Sequence, residues 1–175
     1  MRNIVLIGFM GTGKTTIATA LANKLAMDYV STDSLIEKRE KRTINEIFKT
    51  EGEDRFREIE SEVIRDISGH DGQVIDAGGG AVVRNENISN LKSNGILICL
   101  TADEDVILER TKKYKHRPLL NVEDPKRKIK DLLSKRAPLY AKAGFFFDTG
   151  KLTVRQVVEK IVEIVNSEGR PSEEK

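Results

Sequence analysis

The chain has 175 residues, 38% of them hydrophobic, with 30 basic and 28 acidic side chains and a net charge of +2. That length and apolar content suit one domain with a single core, and the near balance of charge argues against a nucleic-acid scaffold or a membrane-surface protein. The one cysteine, Cys99, sits inside the apolar run Ile96 to Leu100, so there is no disulfide framework and the thiol is expected to be a buried packing residue. The amino-terminal apolar run is interrupted by Gly8 and Gly11, too short for a signal-peptide core or a membrane span, and the expected compartment is the cytoplasm.

Asn3 to Ile7 is a short apolar run suited to a buried parallel strand, and Thr16 to Ala26 is an Ala/Leu-rich stretch with helical spacing. Between them Gly8-Phe9-Met10-Gly11-Thr12-Gly13-Lys14-Thr15 matches G-x-x-x-x-G-K-[ST], the phosphate loop of nucleoside triphosphate-binding proteins. The glycines let backbone N–H groups turn inward around phosphate oxygens, and the helix amino terminus adds partial positive charge. Gly11, Thr12, Gly13, Lys14, Thr15 and Thr16 are therefore expected to bind ATP, with Lys14 supplying a mobile ammonium and the Thr15 hydroxyl meeting Mg²⁺. Further strands are expected at Tyr29 to Ser31, Gln73 to Ala77, Gly95 to Leu100 and Phe145 to Asp148. Capping-box patterns at Thr43 with Glu46, Thr101 with Glu104 and Thr153 with Gln156 mark helix starts. From Gly52 to Ser68, Phe56, Ile59, Val63, Ile64 and Ile67 fall on one helical face, flanked by Arg57 and Glu60. The pattern predicts an α/β fold, a five-stranded parallel sheet flanked by helices, with ligands beyond the carboxyl ends of the strands, where Gly8, Asp33, Asp76 and Gly78 lie. Residues 1–165 form the expected domain, and the polar stretch 166–175 an expected flexible tail.

Three uses of the loop compete: switch GTPase, mechanochemical ATPase and small-molecule kinase. Asp76-Ala77-Gly78-Gly79 fits the loose D-x-x-G pattern of GTPases, but the guanine-reading N-K-x-D element is absent, since Asn23-Lys24-Leu25-Ala26 lacks the Asp. Motor ATPases need extra domains or ring partners that this chain does not offer. A small kinase remains.

Past the loop, the chain resembles the shikimate kinases of the nucleoside-monophosphate-kinase-like group over about residues 3 to 165. The resemblance rests on GFMGTGKTT (Gly8 to Thr16), TDSLIE (Thr32 to Glu37), INEIF-x-x-x-GE-x-x-FR-x-x-E (Ile44 to Glu60), GGGAV (Gly78 to Val82), RPLL (Arg117 to Leu120) and R-x-P-L-Y (Arg136 to Tyr140). It implies ATP-dependent phosphorylation of the 3-hydroxyl of shikimate, a step toward chorismate, by a monomer that binds neither nucleic acid nor membrane.

Asp33, at the rim of the expected pocket, can accept a hydrogen bond from the substrate hydroxyl and take its proton late in a loose phosphoryl-transfer transition state; alternatively it only caps the following helix. The resemblance places Arg57 and Arg136 on the shikimate carboxylate, which suits the bidentate guanidinium fork, although an arginine by itself is more often a solvated helix residue. Glu60 could hold Arg57 in place, and Phe48 and Phe56 wall the pocket or simply pack in the core. Three successive glycines, Gly78, Gly79 and Gly80, suggest a backbone that a ligand approaches closely, with amides donating to the substrate. Arg110 to Arg117 is a basic run resembling the family's mobile lid, expected at about 112–124; it implies Arg117 on the ATP phosphates as a catalytic arginine and Arg110 stacked on adenine. His116 is given no role, and Lys151 and Leu152 fall where the family contacts adenine.

One position departs from the family pattern. Where D-x-D is common, this chain has Ser31-Thr32-Asp33, so the carboxylate that helps hold the magnesium water shell is absent. Asp76, after Val74-Ile75 at a strand end, is expected to replace it and to reach the metal through water.

Overall fold

Strict alternation along the central strands sorts the side chains onto the two faces of the sheet, and each face collects its own helices. The structure, a computed structural model, describes residues 1–112 and 122–168. Five strands form: β1 (Asn3–Gly8), β2 (Asp28–Ser31), β3 (Gln73–Asp76), β4 (Gly95–Thr101) and β5 (Phe145–Asp148). All neighbours pair in parallel, in the order β2-β3-β1-β4-β5. The helices are α1 (Lys14–Leu25), α2 (Thr32–Glu40), α3 (Ile44–Ser68), α4 (Asn85–Ser93), α5 (Glu104–Thr111), α6 (Pro125–Tyr140) and α7 (Val154–Glu168), with a short 3₁₀ turn at Ala81–Val83.

On one face Ile4, Leu6, Val74, Ile96 and Ile98 pack against Ile17 and Leu21 of α1 and Val157 and Ile161 of α7. On the other, Val5, Ile7, Ile75, Leu97 and Cys99 pack against α2, α3 and α6 through Ile36, Ile59, Ile64 and Ile129. Phe56, Ile59, Val63, Ile64 and Ile67 are all buried, as their spacing predicts. Cys99 is fully buried, and burial pushes its thiol up to about 12, which leaves it an inert packing group.

One local expectation changes. The Thr101/Glu104 capping box does not form, because β4 continues through Thr101, whose carbonyl accepts from Thr149 N–H at 2.8 Å. The helix starts at Glu104 with Asp103 as its N-cap. The helix starting after Thr43 and the helical stretch from Gly52 to Ser68 run on as α3, with a kink of non-helical backbone at Gly52 (φ 85°, ψ 177°). The other two boxes form, with Thr43 Oγ1 accepting from Glu46 N–H at 3.2 Å and Thr153 Oγ1 from Gln156 N–H at 3.3 Å. In α7 the helix includes residues 166–168, while residues 169–175 and most of the expected lid, 113–121, lie outside the described residues. Among the described residues no helix is long and apolar enough to cross a membrane.

Thr43→Ala removes a reciprocal cap from the helix that carries Arg57. We expect a loss of about 1 kcal/mol, read as a lower denaturant midpoint with unchanged slope.

Candidate active site

The phosphate loop joins β1 to α1, and its last turn needs a left-handed residue, supplied by Gly13 at φ 88° as the N-cap of α1. Lys14 is buried and donates from Nζ to the carbonyls of Gly8 at 2.9 Å and Phe9 at 3.1 Å. Its ammonium is thereby held against the loop's own backbone. Thr12 also turns inward, its hydroxyl donating to Phe9 O at 2.7 Å, so its side chain shapes the loop. A cavity of about 720 Å³ opens over this loop, lined by Gly11 to Ile17 and by Arg110, Thr149 and Leu152 from the far side.

Arg110 is fixed at that wall. It donates to Gly11 O at 3.2 Å and to Thr149 through Oγ1 at 2.9 Å and O at 2.7 Å. Thr149, just past β5, in turn donates to Thr12 O at 2.9 Å. No motif marks Thr149; only its place after the carboxyl end of a strand could have singled it out. Leu152 lines the cavity, whereas Lys151 does not and pairs with Asp148 at 3.2 Å. Arg117 and His116 lie outside the described residues.

At the amino terminus of α1 the Thr15 hydroxyl donates to Asp76 Oδ2 at 2.6 Å. Tyr29, on edge strand β2, donates to the same oxygen at 3.3 Å, an interaction that sequence reading did not anticipate. Partial burial, and then the Asp76 charge, push the Tyr29 phenol above its ordinary value, which keeps it a donor. Ser31 pairs in register with Asp76 across β2 and β3. Its hydroxyl oxygen accepts from Ser34 N–H at 3.3 Å as the N-cap of α2, so the capping role considered for Asp33 belongs to Ser31, and Asp33 sits in the first turn.

The second half of the site surrounds the turn after β3. A Cβ on Gly78 would lie 2.8 Å from Asp33 Oδ1 and 2.9 Å from Glu60 Oε1, and one on Gly80 would lie 2.3 Å from Arg57 Nη2. On Gly79 it would meet Met10 N at 3.3 Å and Gly8 O at 3.4 Å, atoms of the phosphate-loop backbone. A side chain at Gly78 or Gly80 would have to displace these groups, and Gly79 is tight against backbone. The partners here are protein groups, and the Gly78 N–H is already donated to Thr32 Oγ1 at 2.8 Å. Arg136 and Tyr140 of α6 both donate to Gly79 O, at 3.0 and 2.6 Å, and the Arg136 guanidinium lies 5.7 Å over Phe9.

Arg57 is buried and forms two ion pairs. Its Nη1 donates to Glu60 Oε2 at 2.7 Å, and its Nη2 to Glu53 Oε1 at 3.0 Å. Burial raises the Glu60 carboxyl above its ordinary range while the Arg57 charge pulls the other way; Glu60 Oε1 has no hydrogen-bond partner. Burial works to lower Arg57, but the Glu60 and Glu53 carboxylates outweigh it, so its value is raised and the guanidinium stays charged. Phe56 lies under Arg57 at 4.9 Å, and Phe48 is 4.8 Å from Phe56, so these rings support the arginine as well as the core. Asp33, Arg57, Gly78, Gly79, Gly80 and Arg136 are thereby gathered at one place, beside Lys14, Thr15 and Asp76.

A parallel sheet in this order, a phosphate loop under a nucleotide-sized cavity and two buried arginines at the neighbouring glycine turn suit a P-loop kinase. The comparisons narrow the class. The family model described as Shikimate kinase matches residues 10–166. A shikimate kinase of Thermodesulfovibrio yellowstonii is 53% identical over 93% of this chain and 94% of its own length, and one of Pelotomaculum thermopropionicum is 46% identical over 93% and 94%. The structure of shikimate kinase from Acinetobacter baumannii in complex with shikimate superposes with a TM-score of 0.92 at 37% identity, covering 98% of this chain and 96% of that one. The chain belongs to the shikimate kinase family, the ATP-dependent phosphotransferases that act on the 3-hydroxyl of shikimate in aromatic amino-acid biosynthesis.

Gly80→Ala tests the close approach. A Cβ there must displace the Arg57 guanidinium, so the shikimate KM should rise about 10- to 100-fold while the ATP KM stays within about 3-fold in steady-state assays.

Proposed function

We propose that the chain transfers the γ-phosphoryl group of ATP to the 3-hydroxyl of shikimate with a division of labour between the two halves of the site. The observation that carries this reading is the Gly78–Gly80 turn. Its backbone lies against the phosphate loop, and Asp33, Arg57 and Arg136 stand around it.

On the nucleotide side, Lys14 exchanges the Gly8 and Phe9 carbonyls for phosphate oxygens, and the loop N–H groups of Gly11, Gly13, Thr15 and Thr16 donate to them. Arg110 forms the adenine wall. The resemblance alone assigns Arg117 to the transferring phosphate. On the acceptor side, Arg57 and Arg136 bind the carboxylate, Gly79 and Gly80 supply backbone donors, and Asp33 orients the hydroxyl and accepts its proton as the bond forms.

The residues at Thr15 fit Mg²⁺. The Thr15 hydroxyl donates its hydrogen bond to Asp76 and keeps lone pairs for a cation, and the surrounding groups are oxygens, the ligand type Mg²⁺ takes. Among the described residues no cluster of His, Cys, Asp and Glu could hold a metal by itself, which accords with an ion held mainly by phosphate, Thr15 and water. Bound there, Mg²⁺ would neutralise phosphate charge during transfer. Asp76 would orient its water shell in place of the carboxylate absent at Ser31.

A coupled ADP-release assay with shikimate, gluconate and nucleoside monophosphates should give turnover with shikimate alone. In the same assay Asp33→Asn should lower kcat at least ~10²-fold with KM within about 3-fold; a normal kcat with a raised KM would make Asp33 a binding residue only.

Asp76→Asn should raise the Mg²⁺ concentration for half-maximal activity about 10-fold or more with a smaller effect on shikimate KM, and Ser31→Asp combined with Asp76→Ser should recover much of the loss. An unchanged Mg²⁺ dependence would leave Asp76 as an internal acceptor for Thr15 and Tyr29.

A further inference from the structure

We propose that Tyr29 is a positioning residue for the metal corner, acting through Asp76. The proposal rests on the reading of Asp76 given above. Three features of the sheet carry it. Tyr29 and Ser31 lie two residues apart on β2, hence on the same face, and Ser31 is the register partner of Asp76 while Tyr29 is that of Val74. That face is the one covered by α1, whose first turn presents Thr15. A residue on β2 therefore reaches the Thr15–Asp76 pair either from the directly opposed position, Ser31, or diagonally from Tyr29.

The directly opposed position makes no hydrogen bond to Asp76. Ser31 has a short side chain; its oxygen caps the amino terminus of α2, and its hydroxyl meets the Tyr29 phenol instead of the carboxylate. The long phenol reaches instead, donating to Asp76 Oδ2 at 3.3 Å. Thr15 donates to the same oxygen at 2.6 Å. Two donors on Oδ2 restrict rotation of the carboxylate and direct Oδ1 to other donors, among them water of a bound cation. Tyr29 is 40% exposed, so packing alone does not explain why its hydroxyl points at a buried carboxylate rather than at solvent. Two polar groups, a carboxylate on β3 and a phenol on β2, thus stand where a single β2 carboxylate would do the same work.

The test is isothermal titration of the full chain with ADP, with and without Mg²⁺, for the wild type, Tyr29→Phe and Asp76→Asn, alongside thermal melting. Tyr29→Phe keeps the ring and removes only the hydroxyl. Metal-free ADP affinity and Tm should match the wild type, and the Mg²⁺-dependent gain in ADP affinity should fall about 3- to 10-fold. Adding Ser31→Asp to Tyr29→Phe should restore that gain. If Asp76→Asn loses the gain and Tyr29→Phe does not, Tyr29 has no positioning role although Asp76 keeps its own. If neither variant changes it, the Asp76 reading fails as well. Equal losses with and without Mg²⁺ in Tyr29→Phe would make the tyrosine a packing residue of the edge strand and overturn the proposal.

Discussion

Backbone contact between the two strand-end loops is the constraint on which the site depends. At Gly79 the turn after β3 presses on Met10 N and Gly8 O of the phosphate loop, at distances where a Cβ would already be crowded. Because β1 and β3 are hydrogen-bonded neighbours, with Leu6 in register with Asp76, this contact follows from the strand order. Donor and acceptor halves are therefore held at fixed spacing by main chain, and no long flexible side chain has to span the gap. Arg136 and Tyr140 add a second brace by tying α6 to the carbonyl of that same glycine. Positioning of this kind is what phosphoryl transfer asks of a protein, since little covalent chemistry falls to its side chains.

The same turn tolerates an arrangement that is unfavourable for stability alone. Arg57 and Glu60 are a buried ion pair, and such pairs often do no better than well-packed apolar residues, because desolvation offsets the attraction. Glu60 also has an oxygen with no partner in a fully buried position. On the reading proposed above, a carboxylate-bearing substrate offsets that cost. A buried, pre-oriented guanidinium binds a carboxylate far better than a mobile surface one, and Glu60 holds it from the inner side. Glu53, half exposed, occupies the outer nitrogens, so it is the partner in contact with water.

Much of this was legible in the residues. Buried parallel strands are short apolar runs bounded by polar or glycine residues, and each of the five runs read as a strand became one; the phosphate loop declared itself by spacing. The Thr101 capping box failed because a local pattern was overridden by a tertiary one: β5 pairs with β4 through Thr101, so the strand lasts longer than its apolar run. Arg57 and Arg136 come together only through the packing of α3 and α6 around Gly79 and Gly80, which no periodicity encodes, and the resemblance alone had joined them. Thr149 and Tyr29 were missed for a different reason. Each is a common residue type in no motif, and each acquires a partner only once the strand order is known.

Strand order also explains how a carboxylate can be exchanged between neighbouring strands without rebuilding the site. In a parallel sheet, registered residues project to the same face, with strands only about 5 Å apart. Ser31 and Asp76 are such a pair, so a carboxylate moved from one to the other still faces Thr15 with much the same reach. The position left behind is then released from its charge and can take another task, and here Ser31 caps α2, the helix whose first turn carries Asp33. Serine and aspartate are comparable helix caps, so the exchange leaves the start of α2 capped. The departure from D-x-D thus leaves a carboxylate facing Thr15 and gives α2, whose first turn carries Asp33, a serine cap.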